Sequence, residues 1–195
     1  MGYFQTILKD GIHAIISNKF KMEHLKMVND SSGAKKAAAM TCEIVERRDH
    51  FLHIRLSGML VDAIQFANLI GDVPEELRIT CKDIQRINSV GTLSWMKYFE
   101  NLSERKVKLV FSECSVAVIE QSGLISNFLC NGIIESMCVH FYCSSCKDDF
   151  TQCFKLSELK NFMISPPSPP CPKCSNEHTV IDDIPDWLFT IVSKV

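Results

Sequence analysis

The sequence lacks any long apolar run. No window holds the ~20 consecutive apolar residues that a helix needs to cross a bilayer. The apolar stretch near the N-terminus is interrupted by Lys9, Asp10 and His13, which is not the pattern of an export signal. With 46% apolar and 23% charged residues the composition is that of a globular protein. We therefore expect a cytoplasmic protein without a membrane span.

The segments predicted to fold also lack an excess of positive charge. Residues 41–142 carry ten Lys and Arg against thirteen acids, and residues 143–195 carry five Lys against seven acids. The basic segment is residues 1–40, with six Lys against three acids. A protein that binds nucleic acid needs clustered Lys and Arg to neutralise phosphates. We therefore expect no nucleic-acid partner for the folded segments.

Sequence motifs of catalysis are missing as well. The chain shows no Ser-His-Asp arrangement, no phosphate-binding loop and no histidine-rich metal motif, and its six histidines are scattered. We therefore predict that the protein is not an enzyme. A zinc-dependent or cysteine-dependent enzyme is the alternative that we rank last.

Cysteine, by contrast, is abundant, with ten residues. Four cysteines form the pairs "CSSC" and "CPKC", which are separated by residues 147–170. Two such pairs can place four thiolates in the tetrahedron that Zn²⁺ prefers. The predicted ligands of a structural zinc ion are Cys143, Cys146, Cys171 and Cys174. Four protein ligands leave no open position for substrate, so the predicted role of the metal is structural.

The surroundings of the two pairs resemble a zinc ribbon. Lys147 and Ser175 stand where zinc knuckles often have glycine. Cys153 and His178 are the plausible substitute ligands, and we expect neither to bind. The segment has few large apolar residues, so we expect it to need the metal in order to fold. The other six cysteines stand singly among apolar neighbours, a usage typical of a reducing cytoplasm.

Between residues 41 and 142 the pattern alternates between strands and helices. Alternating apolar residues predict a hairpin of strands 42–46 and 50–57, joined near Arg48. The remaining expected elements are a helix capped by Asp62 and Gln65 and stopped by Gly71, a strand 77–80, a helix 92–103, a strand 107–111, a helix from Ser115 to Gly123 and a strand 133–143. The apolar face expected for the second helix is Leu93, Met96, Phe99 and Leu102. This order predicts an α/β fold in which helices flank a mixed sheet.

The chain divides into three predicted parts. Residues 1–40 are an N-terminal extension and linker with a short amphipathic helix over 3–17, or else Met40 is the true start. Residues 41–142 form the α/β domain. Residues 143–195 form the ribbon and a C-terminal helix after Pro185 that carries Trp187.

One tetrapeptide lies between the predicted strand and the second helix. Asn88-Ser89-Val90-Gly91, in this order of elements, resembles the STAS domain of sulfate transporters and anti-sigma-factor antagonists. In that family the turn has the sequence Asp-Ser-Ser-Gly, and a partner kinase, itself an anti-sigma factor, phosphorylates its first serine. The resemblance covers residues 41–142 and places the phosphorylated serine at Ser89, with Asn88 and Val90 replacing the family's Asp and second Ser.

The resemblance implies a bacterial-type signalling module that binds a protein partner, such as an anti-sigma-factor-like kinase. Its expected contact surface is the turn and the helix that follows, with Trp95 and Tyr98 as candidate anchors. Two alternatives remain for these residues: Ser89 simply caps the helix, and Trp95 and Tyr98 belong partly to the core. The rival function is an adaptor in which the ribbon makes the contact and the α/β domain is scaffold.

Overall fold

The computed structural model describes residues 39–159 and 165–181. The N-terminal helix predicted over 3–17 and the helix predicted after Pro185 lie outside these residues. The described elements are β1 (Thr41–Arg48), β2 (Phe51–Leu60), α1 (Phe66–Ile70), β3 (Glu76–Ile87), α2 (Ser89–Glu104), β4 (Lys108–Ser112), α3 (Val116–Leu124), β5 (Ile133–Ile134), β6 (Ser136–Cys143), β7 (Asp148–Lys155), a 3₁₀ turn (Leu156–Leu159) and β8 (Thr179–Ile181).

The first five strands form one mixed sheet in the order β1-β2-β3-β4-β5. Strand β1 pairs antiparallel with β2, as the predicted hairpin requires, and β2 to β5 run parallel. Parallel neighbours need crossover connections, and helices α1, α2 and α3 lie in those connections. The prediction of an α/β fold with a mixed sheet and flanking helices is confirmed.

Strand β3 is much longer than the predicted four residues. Its pairing with β4 ends at Thr80 opposite Ser112, but its pairing with β2 continues to Ile87 opposite Leu60. Beyond Thr80, β2 is the only strand of the described residues that pairs with β3, and polar side chains such as Gln85 and Arg86 are exposed there. Because these side chains are polar, this half of the strand lacks the apolar alternation from which strands are predicted, and the prediction ended at residue 80.

The helix before β3 is shorter than predicted. Helix α1 has five residues and begins after Gln65, whose side chain makes no capping hydrogen bond. Asp62 therefore does not cap it, and that prediction was wrong. The Ile64 N–H donates instead to Ser94 Oγ at 3.2 Å, which ties the preceding loop to α2. The predicted stop is confirmed, because Gly71 ends α1 with φ 76°.

Aromatic side chains fill the core between the sheet and α2. Trp95 is fully buried, stacks on Phe128 with ring centroids 5.4 Å apart, and donates from Nε1 to the Phe128 carbonyl at 3.1 Å. Phe99 lies 4.4 Å from the Trp95 ring, and Phe111 of β4 lies 5.7 Å from it. Leu93 was predicted on the buried face but is 70% exposed, because the centre of that face is Trp95.

The last predicted strand is two strands in two sheets. Residue Glu135 separates β5, which pairs with β4, from β6, which pairs with β7 and β8 in a second sheet of three strands. The break follows from the bonds of Glu135: its N–H donates to the Phe111 carbonyl and its carboxylate pairs with Arg78. Strand β6 crosses the boundary that we expected at residue 142.

Candidate functional site

The four predicted metal ligands come together in the structure. The Sγ atoms of Cys143, Cys146, Cys171 and Cys174 all lie within 4.8 Å of one another. The Sγ atom of Cys146 is 3.5 Å from that of Cys171 and 3.6 Å from that of Cys174, and Cys143 Sγ is also 3.6 Å from Cys174 Sγ. A tetrahedral ion with Zn–S bonds of about 2.3 Å holds its sulfurs about 3.8 Å apart. The cluster therefore has the donors and the size to hold a metal ion.

Two tight turns present these thiols. Cys143 ends β6, and the turn that contains Cys146 closes at Lys147 with φ 53°. In the second turn the Ser175 N–H donates to the Cys171 carbonyl at 2.8 Å, and Ser175 has φ 57°. This left-handed conformation is the one that glycine adopts without steric cost. The glycine-like positions expected from the knuckle pattern are therefore glycine-like in conformation.

An asparagine supports the cluster from outside. Asn176 Nδ2 lies 3.8 Å from Cys143 Sγ and 3.1 Å from the His178 carbonyl oxygen, and it donates to both. The backbone carbonyl of Asn176 also accepts a hydrogen bond from the Cys171 N–H at 2.9 Å. Donors of this kind orient ligands and stabilise negative charge on sulfur. Asn176 was not among the predicted site residues, although its place two residues after Cys174 was a usable signal.

Hydrogen bonds make one sulfur of the cluster acidic. The Cys146 N–H donates to the sulfur of Cys143 and is the largest of the effects that lower the pKa of the Cys143 thiol to about 6. Conversely, the hydrogen bond between the Cys146 and Cys143 side chains, with burial, raises the pKa of Cys146 to about 12. A lowered pKa favours the thiolate of Cys143, which is the form that binds a metal ion.

The two left-handed positions lead to a first prediction. We expect Lys147→Gly to stabilise the ribbon by about 0.5–1 kcal/mol, because glycine relieves a left-handed residue that bears a side chain while adding freedom to the unfolded chain. Competition with a chelator and thermal unfolding measure this gain. Ser144→Gly is the matched control, since Ser144 is an exposed residue of the same turn without a positive φ. Equal gains from both variants would show that φ is not the cause.

Two other cysteines of the second sheet are bonded to each other. Cys138 and Cys153 form a disulfide across β6 and β7, so the expectation of single cysteines was wrong for this pair. Fifteen residues separate them, and they meet because the register of the two strands places them opposite each other. Among the described residues, Cys153 and His178 lie outside the four-sulfur cluster.

Asn88 caps helix α2 and ties it to the sheet. Its Oδ1 accepts from the Gly91 N–H at 2.9 Å, and its Nδ2 donates to the Val61 carbonyl at 2.8 Å. The alternative in which Ser89 is the cap is therefore wrong. An aspartate could accept from Gly91 but could not donate to Val61, which is a physical reason for asparagine at this position.

Ser89 is exposed as the first residue of the 16-residue helix α2. Gly91, two residues on, is buried against the end of β2, so its prediction as a partner-binding residue was wrong. The tetrapeptide thus joins a strand end to a helix start, with the serine facing solvent and the glycine at the contact. The position expected of Ser89 on the surface agrees with the structure, while its phosphorylation stays a prediction.

The two aromatic anchor candidates differ in position. Trp95 is completely buried in the core, so it cannot contact a partner and its assignment as an anchor was wrong. Tyr98 is half-buried, stacks on Phe66 with ring centroids 5.5 Å apart, and has a pKa raised to about 12 by burial. The apolar side chains exposed at this end of α2 are Val90 (45%) and Leu93 (70%). Sequence analysis missed both, because apolar residues on a helix are normally assigned to the core.

Among the helices of the described ranges, none combines the length and the apolar character required to cross a membrane. Comparison of the chain with models of known protein families, with curated proteins and with solved structures finds no match.

Proposed function

We propose that this protein is a regulatory module that binds a protein partner through the start of α2, as anti-sigma-factor antagonists do. The observation that carries the proposal is the exposure of Ser89 at the first position of the helix, next to the exposed apolar side chains of Val90 and Leu93. Exposed apolar side chains beside a modifiable hydroxyl give a partner both a contact and a switch. We name Ser89, Val90 and Leu93 the α2 surface.

A phosphate on Ser89 would be compatible with the fold. The first amides of a helix have no intrahelical acceptor, and the helix dipole favours an anion at this end. Phosphorylation would add about −1.5 to −2 charges at neutral pH. The side chain of Asn88 is already engaged with Gly91 and Val61. The added charge would therefore act mainly on the partner that docks on the α2 surface.

The ribbon has a supporting role in this proposal. We infer that the ion held by the four cysteines is zinc, because four thiolates in two short turns suit its tetrahedral geometry. Cys143, Cys146, Cys171 and Cys174 would hold it, and with four sulfur ligands it would serve folding rather than catalysis. The protein would then not be an enzyme; turnover that stops on chelation while the fold persists would contradict this.

The partner contact leads to a second prediction. We expect Leu93→Ser to weaken partner binding about tenfold, the effect of losing more than 1 kcal/mol at an interface centre. The partner is first captured with the unmodified full-length protein, and its affinity is then measured against the variant. The fold should be unaffected, since Leu93 is 70% exposed.

Val180→Ser is the matched control for Leu93→Ser. Val180 is also a large apolar residue, 59% exposed, but it lies on β8 of the ribbon. The exposure of Val180 is the observation that favours the rival function, an adaptor whose ribbon makes the contact. Loss of binding with Val180→Ser and not with Leu93→Ser would support the adaptor and overturn the α2 surface.

The proposed phosphorylation of Ser89 leads to a third prediction. We expect a captured kinase to phosphorylate Ser89 in the presence of ATP, and Ser89→Asp to change partner affinity while Ser89→Ala preserves it. Mass spectrometry locates the phosphate, and the same binding assay measures the two variants. An unmodified Ser89, together with equal affinity of both variants, would remove the switch and leave the binding proposal to the Leu93 test.

A further inference from the structure

The disulfide between Cys138 and Cys153 in the second sheet lies at the wall of a cleft. Cys138 and Cys153 both line a cavity of about 650 Å³ between the end of β3, the start of α3 and the β6–β7 hairpin. His140 and Thr151, the cross-strand pair two positions along from the disulfide, line it too, and their side chains are hydrogen-bonded at 2.9 Å. A cavity of this size holds a small ligand rather than a protein chain. The disulfide is therefore part of the wall of a cleft of small-molecule size.

The two sulfurs differ in exposure. Cys138 is 2% exposed, whereas Cys153 is half-buried. An incoming thiol can therefore reach Cys153 more easily than Cys138, and which sulfur is reached decides the course of thiol exchange. One reachable sulfur with a shielded partner is the arrangement of a pair that accepts an attacking thiol and then expels it.

The register of β6 and β7 allows the bond to re-form after an incoming thiol has broken it. The two strands pair without a shift from Ser136 opposite Lys155 to Cys143 opposite Asp148. Backbone hydrogen bonds on both sides therefore hold Cys138 opposite Cys153 whether or not the sulfurs are bonded. The same hairpin carries Cys143 and Cys146, thiols that must stay reduced to bind a metal. In an environment that keeps such thiols reduced, disulfides are usually transient and redox-active rather than permanent cross-links.

We propose that Cys138 and Cys153 are a thiol–disulfide exchange site for a low-molecular-weight peptide thiol. Charges of both signs line the cleft: Lys82, which also pairs with Glu113 at 3.0 Å, and the acids Asp83 and Glu120. A small peptide that carries carboxylates and an ammonium group finds partners for both there. Glutathione is a thiol of this class and is the probe for the test. The inference goes beyond the partner contact proposed above and does not depend on it; it shares with the proposed function only the metal of the four-cysteine cluster.

The exchange proceeds in two balanced steps. In the first step the thiolate of one peptide attacks Cys153 Sγ, the bond between Cys138 and Cys153 breaks, and its electron pair leaves on Cys138 Sγ, which takes up a proton. In the second step the thiolate of another peptide attacks the peptide sulfur of the mixed disulfide and releases Cys153, which is also protonated. Two peptide thiols are oxidised to one peptide disulfide, and the protein disulfide is reduced to two thiols.

The first test is a redox titration of the full-length, metal-loaded protein. The protein is equilibrated with glutathione and glutathione disulfide at a series of ratios, alkylated, and analysed by mass spectrometry. We expect Cys138 and Cys153 to become reduced within the range of ratios that glutathione buffers provide, with the metal retained. A pair that stays oxidised at every ratio until the protein unfolds, or that never oxidises with excess glutathione disulfide, overturns the proposal.

The second test traps the intermediate. With Cys138→Ser we expect glutathione to accumulate on Cys153, and with the matched variant Cys153→Ser we expect no glutathione on Cys138. Cys42, a half-buried free cysteine outside the cleft, reports non-specific reaction in the same sample. Equal modification of Cys153 and Cys42 overturns the site. If the variants fail to fold, acid quenching of the unmodified protein during the titration must show glutathione on Cys153. Reduction by a protein dithiol alone, without any glutathione adduct, overturns the small-thiol assignment.

Discussion

Chelating the metal ion proposed for the four-cysteine cluster is expected to release residues 165–181 from β6 while the five-stranded sheet stays folded. The second knuckle and β8 are held to β6 by three strand pairs, from Phe141 opposite Ile181 to Cys143 opposite Thr179. Apart from the thiols, the described side-chain bonds from this segment to the hairpin are the exposed ion pair of Lys173 with Asp148 at 2.9 Å and the Asn176 Nδ2 to Cys143 Sγ contact at 3.8 Å. Structural zinc contributes about 10–16 kcal/mol in small zinc-binding peptides, far more than three strand pairs supply.

Chelation should affect the hairpin of β6 and β7 less than it affects residues 165–181. Phe141 is fully buried and stacks on Phe150 with ring centroids 5.5 Å apart, and its strand shares the hydrophobic core that contains Trp95. We expect hydrogen exchange followed by mass spectrometry to show loss of protection over 165–181 and the turn 144–147, with the protection of β2 to β4 unchanged. Uniform loss over the whole chain would show that the metal holds the α/β sheet too.

A single substitution distinguishes the contribution of the metal to folding from that of side-chain packing. Cys174 is the exposed ligand of the cluster, so Cys174→Ser removes one sulfur with little change in the core. We expect it to reproduce the effect of chelation. Cys42→Ser, at a half-buried cysteine of β1, is the control and should leave exchange over 165–181 unaltered. If Cys174→Ser behaves like Cys42→Ser, the cluster does not hold a metal that matters for folding.

The second large effect is expected from Gly91→Ala. A Cβ atom at Gly91 would lie 1.9 Å from the carbonyl oxygen of Leu60 and 2.6 Å from its Cγ. The backbone oxygen cannot turn away, since it also accepts the Asn88 N–H at 3.1 Å. Helix α2 would therefore have to move away from the end of β2. This movement would weaken the hydrogen bonds that Asn88 makes to Gly91 of α2 and to Leu60 and Val61 at the end of β2. We expect a loss of about 3 kcal/mol in the free energy of unfolding.

Thermal and denaturant unfolding measure this loss, which corresponds to a Tm lower by roughly 10 °C for a chain of this size. Val90→Ala is the matched control, because Val90 is the exposed neighbour of Gly91 in the same turn. We expect it to stay within about 0.5 kcal/mol of the unmodified protein. A Gly91→Ala protein as stable as Val90→Ala would mean that the helix start is not packed on Leu60. Binding tests of the α2 surface should therefore leave Gly91 unchanged.

Several features of the fold and site were predictable because their causes are local. The alternation of Leu52, Ile54 and Leu56 identifies a strand with one buried face. Ser115 caps α3 by accepting from the Val118 N–H, and Gly71 ends α1, as residues of these types do in most contexts. The two C-x-x-C pairs predict a four-thiol cluster because each pair spans one tight turn.

Other features depend on strand neighbours that the order of residues does not reveal. The second half of β3 is polar because β4 ends at Ser112, and Glu135 separates β5 from β6 because Phe111 and Arg78 lie beside it. Helix α1 is short because the loop before it is tied to Ser94. Each of these contacts joins residues at least twenty positions apart.

By itself the sequence determined the α/β class, the hairpin, the helix stop at Gly71 and the four thiols, since short-range spacing and backbone preference are sufficient for these. Only the tertiary structure decided that Trp95 is core and Leu93 is surface, because the side of α2 that meets the sheet is set where Gly91 packs on Leu60. The tertiary structure also decided that Cys138 and Cys153 form a disulfide, because the register of β6 against β7 along their whole length places the two residues opposite each other.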